Sequence, residues 1–192
     1  MGLFVIRPFP NPGLSLFVGT IISLSSYAAC FADPEPAIHY SPVENLERTD
    51  STLIDRAEHN IDFAAYVLTD RPVMRALIRA AKRGVKVRLY LDGRRIGERE
   101  PTLLFQELLA TPQIDVRFKR PKSPLMHLKS YQIDGRWLRT GAANFSASGL
   151  KRQDNDLLII DSEAAAKSFE HRFEAIFAEG ETPQLAPQGD LP

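Results

Sequence analysis

The sequence predicts an α/β domain built on a mixed β-sheet flanked by helices on both faces. Three observations predict it. Apolar, strand-like runs alternate with helical stretches in the order strand, helix, strand, helix, strand, the pattern of a sheet with helical crossovers. The run IDFAAYVL, residues 61–68, is mostly apolar, as a strand buried on both faces must be. Asp134-Gly135 separates two further strand-like runs, a strong hairpin signal that adds an antiparallel pair.

Each element has its own reason. A short strand near Ile38–Tyr40 follows a proline-rich, extended entry. Residues 46–59 carry Leu46, Leu53, Ile54 and Ala57 near helical spacing. After the strand at 61–68, residues 71–83 read as a helix, with Pro72 tolerated in the first turn and Gly84 as its stop. VKVRLYL, 85–91, alternates cleanly and reads as a half-buried strand. Asp92-Gly93 opens the basic loop RRIGER. A helix at 102–110 and a strand at 114–118 follow. The hairpin joins 128–133 to 137–140. LLII, 157–160, is another apolar strand. The helix at 164–178 places Phe169, Phe173, Ile176 and Phe177 on one side.

The ends read differently. In the first 32 residues Arg7 is the only charge, LSLFVGTIISL is apolar, and Cys30 and Ala32 occupy the cleavage-determining positions. Residues 1–32 are therefore expected to be a signal peptide, with an uncleaved anchor as the alternative. Export to the periplasm or the medium follows in both cases. Residues 33–179 form the expected domain, and 180–192, rich in Pro, Gly and polar residues, a disordered tail. The single cysteine lies in the leader, so no disulfide framework or thiolate metal site can be built.

The formal net charge is zero, but its distribution is uneven. Residues 33–70 carry a net −7, 71–139 a net +11 and 140–192 a net −5. The basic middle suits a polyanion.

Chemistry concentrates in MHLKSYQIDG, residues 126–135. Residues i and i+2 of a strand share a face, so His127 and Lys129 project together. An ammonium holds phosphate oxygens and stabilises developing charge. An imidazole titrates near neutrality and serves as nucleophile or acid/base. Asp134 has the opposite parity and sits at the turn. TGAANFSASGL, 140–150, follows directly. Its small residues allow close backbone approach to a ligand, and Asn144, Ser146 and Ser148 offer donors. Asp154 or Asp156 is placed to orient the imidazole. His39, His59 and His171 form no metal-ligand cluster by spacing.

His127-x-Lys129-x4-Asp134 followed by Gly141-x-x-Asn144 resembles the HKD signature of the phospholipase D superfamily. The similarity covers about residues 38 to 178. It includes HYSPVENLE and AEHNIDFAAYVLTDRPVMRALIRAAKRGVKVRLYLDG, and is nearest in character to the small exported bacterial endonucleases with a single motif. The resemblance implies a phospholipase D-like fold and a homodimer, because the superfamily's active site needs two motifs. It implies that His127, Lys129 and Asp134 form the catalytic signature, with Asp134 structural. His127 would attack phosphorus and form a phosphohistidine, while His127 of the second copy protonates the leaving oxygen. Lys129 and Asn144 would bind the phosphate oxygens, with no metal and no cofactor. Ala142 replaces the usual serine after the glycine, a loss that Ser146 could offset. Asp154 stands in for the usual imidazole-orienting glutamate, with Asp156 in reserve.

The resemblance, with the basic middle segment in its support, implies a metal-independent endonuclease acting on DNA or RNA. Arg94, Arg95, Arg99, Arg117, Lys119, Arg120 and Lys122 are expected to line its cleft. The alternatives are a lipid phosphodiesterase at a membrane and a nucleic-acid-binding protein with impaired turnover.

Overall fold

The apolar runs form strands close to where they are read as strands, although the run at 61–68 leaves the sheet after Ala65. A computed structural model of the protein describes residues 35–93 and 102–183. The leader at 1–32, Arg94, Arg95, Arg99 and the tail beyond 183 lie outside the described residues.

In chain order the elements are β1 (Ala37–Ser41), α1 (Leu46–Asp55), β2 (Asn60–Ala65), α2 (Arg71–Lys82), β3 (Lys86–Leu91), α3 (Leu103–Ala110), β4 (Ile114–Phe118), β5 (Lys129–Ile133), β6 (Trp137–Thr140), α4 (Ala147–Lys151), β7 (Asn155–Asp161) and α5 (Glu163–Ala178). The strands make one sheet in the order β1-β7-β6-β5-β2-β3-β4. β2, β3 and β4 are parallel, joined by the helical crossovers α2 and α3. The rest is antiparallel, with Ala65 of β2 opposite Lys129 of β5. The mixed sheet expected from the sequence is therefore present.

Caps set the helix starts. Asn45, Asp70, Thr102, Ser146 and Ser162 each accept a backbone N–H from the first turn with a side-chain oxygen. α2 stops where Gly84 takes a φ of 97°. α1, α2 and α3 cover one face of the sheet over a core that includes Leu46, Ile54, Phe63, Leu77, Leu89 and Phe145. α5 covers the other with Phe173, Ile176 and Phe177 against Ala64, Tyr90 and Met126. Both faces of β2 are covered, which is why it reads as a mostly apolar run.

α4 is absent from the sequence reading; its few residues lack a readable period. Past α5 the chain turns back. Glu181 exchanges two backbone hydrogen bonds of 2.8 Å with Phe118 and covers the β4 edge. Among the described residues no helix is long and apolar enough to cross a membrane.

Candidate active site

The topology brings one set of strand ends together. β2, β3 and β4 run toward one edge of the sheet and end there. β5 starts at that edge, β6 ends at it and β7 starts from it. Ligands of open α/β sheets gather outside the carboxyl ends of the parallel strands.

His127 and Lys129 meet at this edge. His127 is exposed in the extended segment that leads into β5, one residue before Leu128, whose carbonyl accepts the Tyr66 N–H at 2.9 Å. Its ring lies 4.6 Å from the Tyr66 ring. Lys129 is buried. Its Nζ donates to the His127 carbonyl at 2.7 Å and sits 3.0 Å from Nδ1 and 3.2 Å from Nε2 of the same imidazole. Nζ also lies 5.4 Å from the Tyr66 ring centroid, within reach of its negative face. Burial, followed by the charge of Arg139, holds the Lys129 ammonium below its ordinary pKa.

Beneath Lys129 lies a network that sequence reasoning missed. Arg139 and Asp50 are both fully buried and paired through two bonds of 2.8 and 3.0 Å. Arg139 Nη1 donates to the Lys129 carbonyl at 2.7 Å. Its guanidinium lies 4.4 Å from the centroid of Phe145, and Tyr131 Oη donates to Asp50 at 2.9 Å. Burial pushes the Tyr131 phenol well above its ordinary pKa, which keeps it a donor. The available signal was Asp50 itself, a carboxylate on the apolar stripe of a helix, where an acid is rarely buried unless paired.

The Gly141–Phe145 turn follows β6. Its register sets Gly141 across from Lys129, two residues on from the Arg139–Tyr131 pair. Gly141 has a φ of 145°, and a Cβ there would fall 2.5 Å from the Asp156 carbonyl oxygen. Asp156 Oδ1 accepts the Ala142 N–H at 2.9 Å, so this carboxylate shapes the turn. The Phe145 carbonyl accepts the N–H groups of Thr69 and Asp70, which ties the turn to the end of β2. Asn144 Oδ1 is buried without a hydrogen-bond partner among the described residues. A buried amide oxygen left unpaired at this edge calls for an explanation.

Other expected residues fall elsewhere. Asp134 does not join the pair. It lies at the far end of β5, about 16 Å of strand from Lys129. There it accepts three backbone N–H bonds, from Glu58 at 2.9 Å and from His59 and Asn60 at 2.8 Å. Its place in the signature is therefore a brace. Ser146 Oγ caps α4 by accepting the Gly149 N–H at 3.1 Å. Asp154 is exposed at the entry to β7, and among the described residues no carboxylate hydrogen-bonds the His127 ring.

Two of the expected cleft cations are corrected. Arg117 donates to the Phe177 carbonyl at 3.1 Å and lies over that ring. Lys119 is buried and donates to the Arg120 carbonyl at 2.6 Å. Arg120 and Lys122 are exposed beyond the end of β4. Arg71, at the start of α2, and Arg152, before β7, are also exposed at this edge and were not foreseen.

A mixed sheet that presents an HxK pair at the carboxyl ends of its parallel strands defines a phosphodiesterase of the phospholipase D type. Comparison with known proteins agrees. Residues 51–177 match the family model described as cardiolipin synthase, PLD-like domain. The chain is 31% identical over 150 residues to a phospholipase D of Rickettsia conorii, covering 77% of this chain and 68% of the relative. It resembles the crystal structure of Nuc, a phospholipase D family member from Salmonella typhimurium, with a TM-score of 0.66 and 26% identity, over 79% of this chain and all of that one. NucT from Helicobacter pylori shares the fold, with a TM-score of 0.68 at 19% identity over 78% of this chain and 99% of that one. The chain belongs to the phospholipase D superfamily.

Proposed function

We propose that this phosphodiesterase is a metal-independent endonuclease that cleaves DNA or RNA as an exported homodimer. The single observation that carries the reading is the His127–Lys129 pair on an edge rimmed by the exposed cations Arg71, Arg120, Lys122 and Arg152. Such a rim tracks a phosphate backbone without reading bases. The resemblance to Nuc, which this chain covers from end to end, supports the same choice.

In the proposed scheme a His127 nitrogen attacks phosphorus and forms a P–N bond as the P–O bond to the leaving strand breaks. His127 of a second copy gives its proton to that oxygen, then takes a proton from the water that cleaves the P–N bond. Each proton transfer is typically worth roughly 10²–10⁴-fold in rate. Lys129 and Asn144 hold the two non-bridging oxygens, and the Ser146 hydroxyl proton is available to either of them. Hydrogen bonds to catalytic groups often tighten only when substrate binds. Asp154 therefore keeps the imidazole-orienting role in this scheme.

One chain supplies one HxK motif, so the scheme needs a second copy. An apolar sheet surface supports that. Ile38 is 49% and Tyr40 56% exposed on the open edge strand β1, beside Leu158 and Ile160 of β7.

A second reading has its own observation. The Rickettsia relatives carry the name phospholipase D, which points to a lipid phosphodiester. One experiment separates the two. The purified protein is given plasmid DNA, single-stranded DNA, RNA and phosphatidylcholine vesicles in excess EDTA, with His127→Ala as control. Nucleic-acid cleavage that survives EDTA and vanishes in the variant is expected. Lipid turnover alone favours the second reading. Oligonucleotide binding without turnover of any substrate indicates a protein that binds and does not cleave.

A further inference from the structure

We propose that a groove running down the molecule from the catalytic edge binds a single-stranded segment of the nucleic-acid substrate. The inference rests on the nuclease reading and adds a binding site to it.

The groove has a volume of about 570 Å³. Helix α1 forms one wall, and the β1-β7-β6 end of the sheet forms the floor. Its direction follows from the topology. β1 ends at the catalytic edge, α1 runs back from there, and β2 returns. The first turn of α1 is therefore beside the catalytic edge and its last turn is at the opposite one. Trp137, the first residue of β6, closes the far end.

The lining has the chemistry of a single-strand site. Arg48, in the first turn of α1, and Arg56, its C-cap residue, lie about two turns apart, about 12 Å along the axis. Both are exposed into the groove, and among the described residues no carboxylate pairs with either. The groove's own carboxylate, Glu44, is held by His39 Nδ1 at 2.7 Å and by the Tyr40 N–H at 3.0 Å. Trp137 is half-buried beside Ile159 and offers an aromatic surface. Arg136 lies 5.0 Å from its ring centroid, but that cation is already held by Asp161 through bonds of 2.6 and 2.7 Å. Cations spaced along a wall with an aromatic platform at the end are how non-specific single-strand sites are built. Phosphates meet the arginines, and a base stacks on the ring.

Trp137 is the only tryptophan in the chain, so it reports on its own groove. The full-length protein carrying His127→Ala, to prevent turnover, is titrated with dye-labelled oligo-dT. Dye anisotropy and tryptophan emission are read together over a range of salt. Saturable quenching that tracks the anisotropy is expected. With Arg48→Gln and Arg56→Gln added, affinity falls and the log–log salt slope drops by about 1.4, from 0.7 per phosphate contact on a single strand. Both positions are exposed, so these changes leave the fold in place.

Oligonucleotide binding with unchanged emission, and an unchanged slope in the arginine variant, overturns the groove while the nuclease reading stands. No oligonucleotide binding by either signal removes both. A blue shift of emission with phosphatidylglycerol vesicles, and none with oligo-dT, assigns the groove to an anionic membrane and overturns the proposal.

Discussion

Asp134 is the member of the signature whose role the structure defines most sharply, and it predicts a split between stability and turnover. Its carboxylate accepts N–H bonds from Glu58, His59 and Asn60, and its own N–H donates to the Asn60 carbonyl at 3.0 Å. Together these lock the β5–β6 hairpin to the start of β2. Asp134 has a φ of 55° and Gly135 of 66°, the two positive values of a type I′ turn. A hydrogen bond to a charged group contributes about 1.5–3 kcal/mol where it is shielded. Only the Asn60 bond is partly buried, and the N–H groups of Glu58 and His59 return to water when released. The three bonds together are therefore worth about 3 kcal/mol. Alanine adds about 1 kcal/mol for the left-handed backbone that aspartate tolerates. Asp134→Ala should lose about 4 kcal/mol, a fall of roughly 8–16 °C in Tm for a domain of this size. Asp134→Asn keeps the Oδ1 bonds and the turn, but turns an NH₂ against the Glu58 N–H; it should lose about 1 kcal/mol. Urea denaturation gives both numbers. Turnover by the folded fraction of each variant should stay within about twofold of wild type at 25 °C, since the carboxylate is about 16 Å of strand from Lys129. Unchanged stability with turnover abolished would refute the reasoning and place Asp134 in the chemistry.

Three further outcomes are expected. Asp70 is buried; its Oδ1 accepts the Val73 N–H at 3.1 Å, while Oδ2 has no hydrogen-bond partner among the described residues. Burial, reinforced by Glu47, pushes its pKa up to about 6. Because the folded value lies above the unfolded one, its contribution to stability is present below about pH 4 and lost as pH rises toward 6. Asp70→Asn keeps the cap and should stabilise by about 1–2 kcal/mol above pH 6.5 and by nothing below pH 4, and matching stability–pH curves would contradict this. Gly141→Ala drives a Cβ into the Asp156 carbonyl and should lower stability by about 2–4 kcal/mol by denaturation, with turnover lost as the Asn144 turn moves. Arg139→Met leaves Asp50 buried and unpaired and should cost about 3–5 kcal/mol; adding Asp50→Leu should recover much of that, and a double-mutant cycle with no coupling would disprove the pairing.

How much of this was legible follows from what period and spacing can encode. β2 and β3, read from the sequence as strands at 61–68 and 85–91, were legible because burial of alternate or all positions writes itself into the residue types. The His127–Lys129 juxtaposition was legible because i and i+2 share a face whatever the tertiary context. Asp134-Gly135 announced its turn. The Asp50–Arg139 pair was not legible, since its members are 89 residues apart and nothing local says which charges will meet. The same gap explains the cleft cations. Arg117, Lys119, Arg120 and Lys122 are a basic cluster in sequence, yet β4 and the turn after it send the first against Phe177 and the second inward. Composition identified a basic middle; only packing separates cations that hold the fold from cations that face a substrate.

Lys129 also shows why the buried pair sits where it does. Lys129, proposed to bind phosphate at this edge, is held out of water, and burial opposes its charge. The Lys129 carbonyl is a buried acceptor that needs a donor. Arg139 supplies one without adding a net charge, because Asp50 neutralises it from α1 while Tyr131 takes part of the same carboxylate. A methionine at 139 fills similar space but leaves the carbonyl unmet, which costs about 1–3 kcal/mol in a buried setting. The guanidinium also lies over Phe145, the residue after Asn144. One side chain thus touches both halves of the proposed phosphate site, the strand that carries Lys129 and the turn that carries Asn144. A buried ion pair is poor evidence for stability in general. Here its geometry instead favours a positioning role, because its bonds end on the backbone of Lys129 and on the ring beside Asn144.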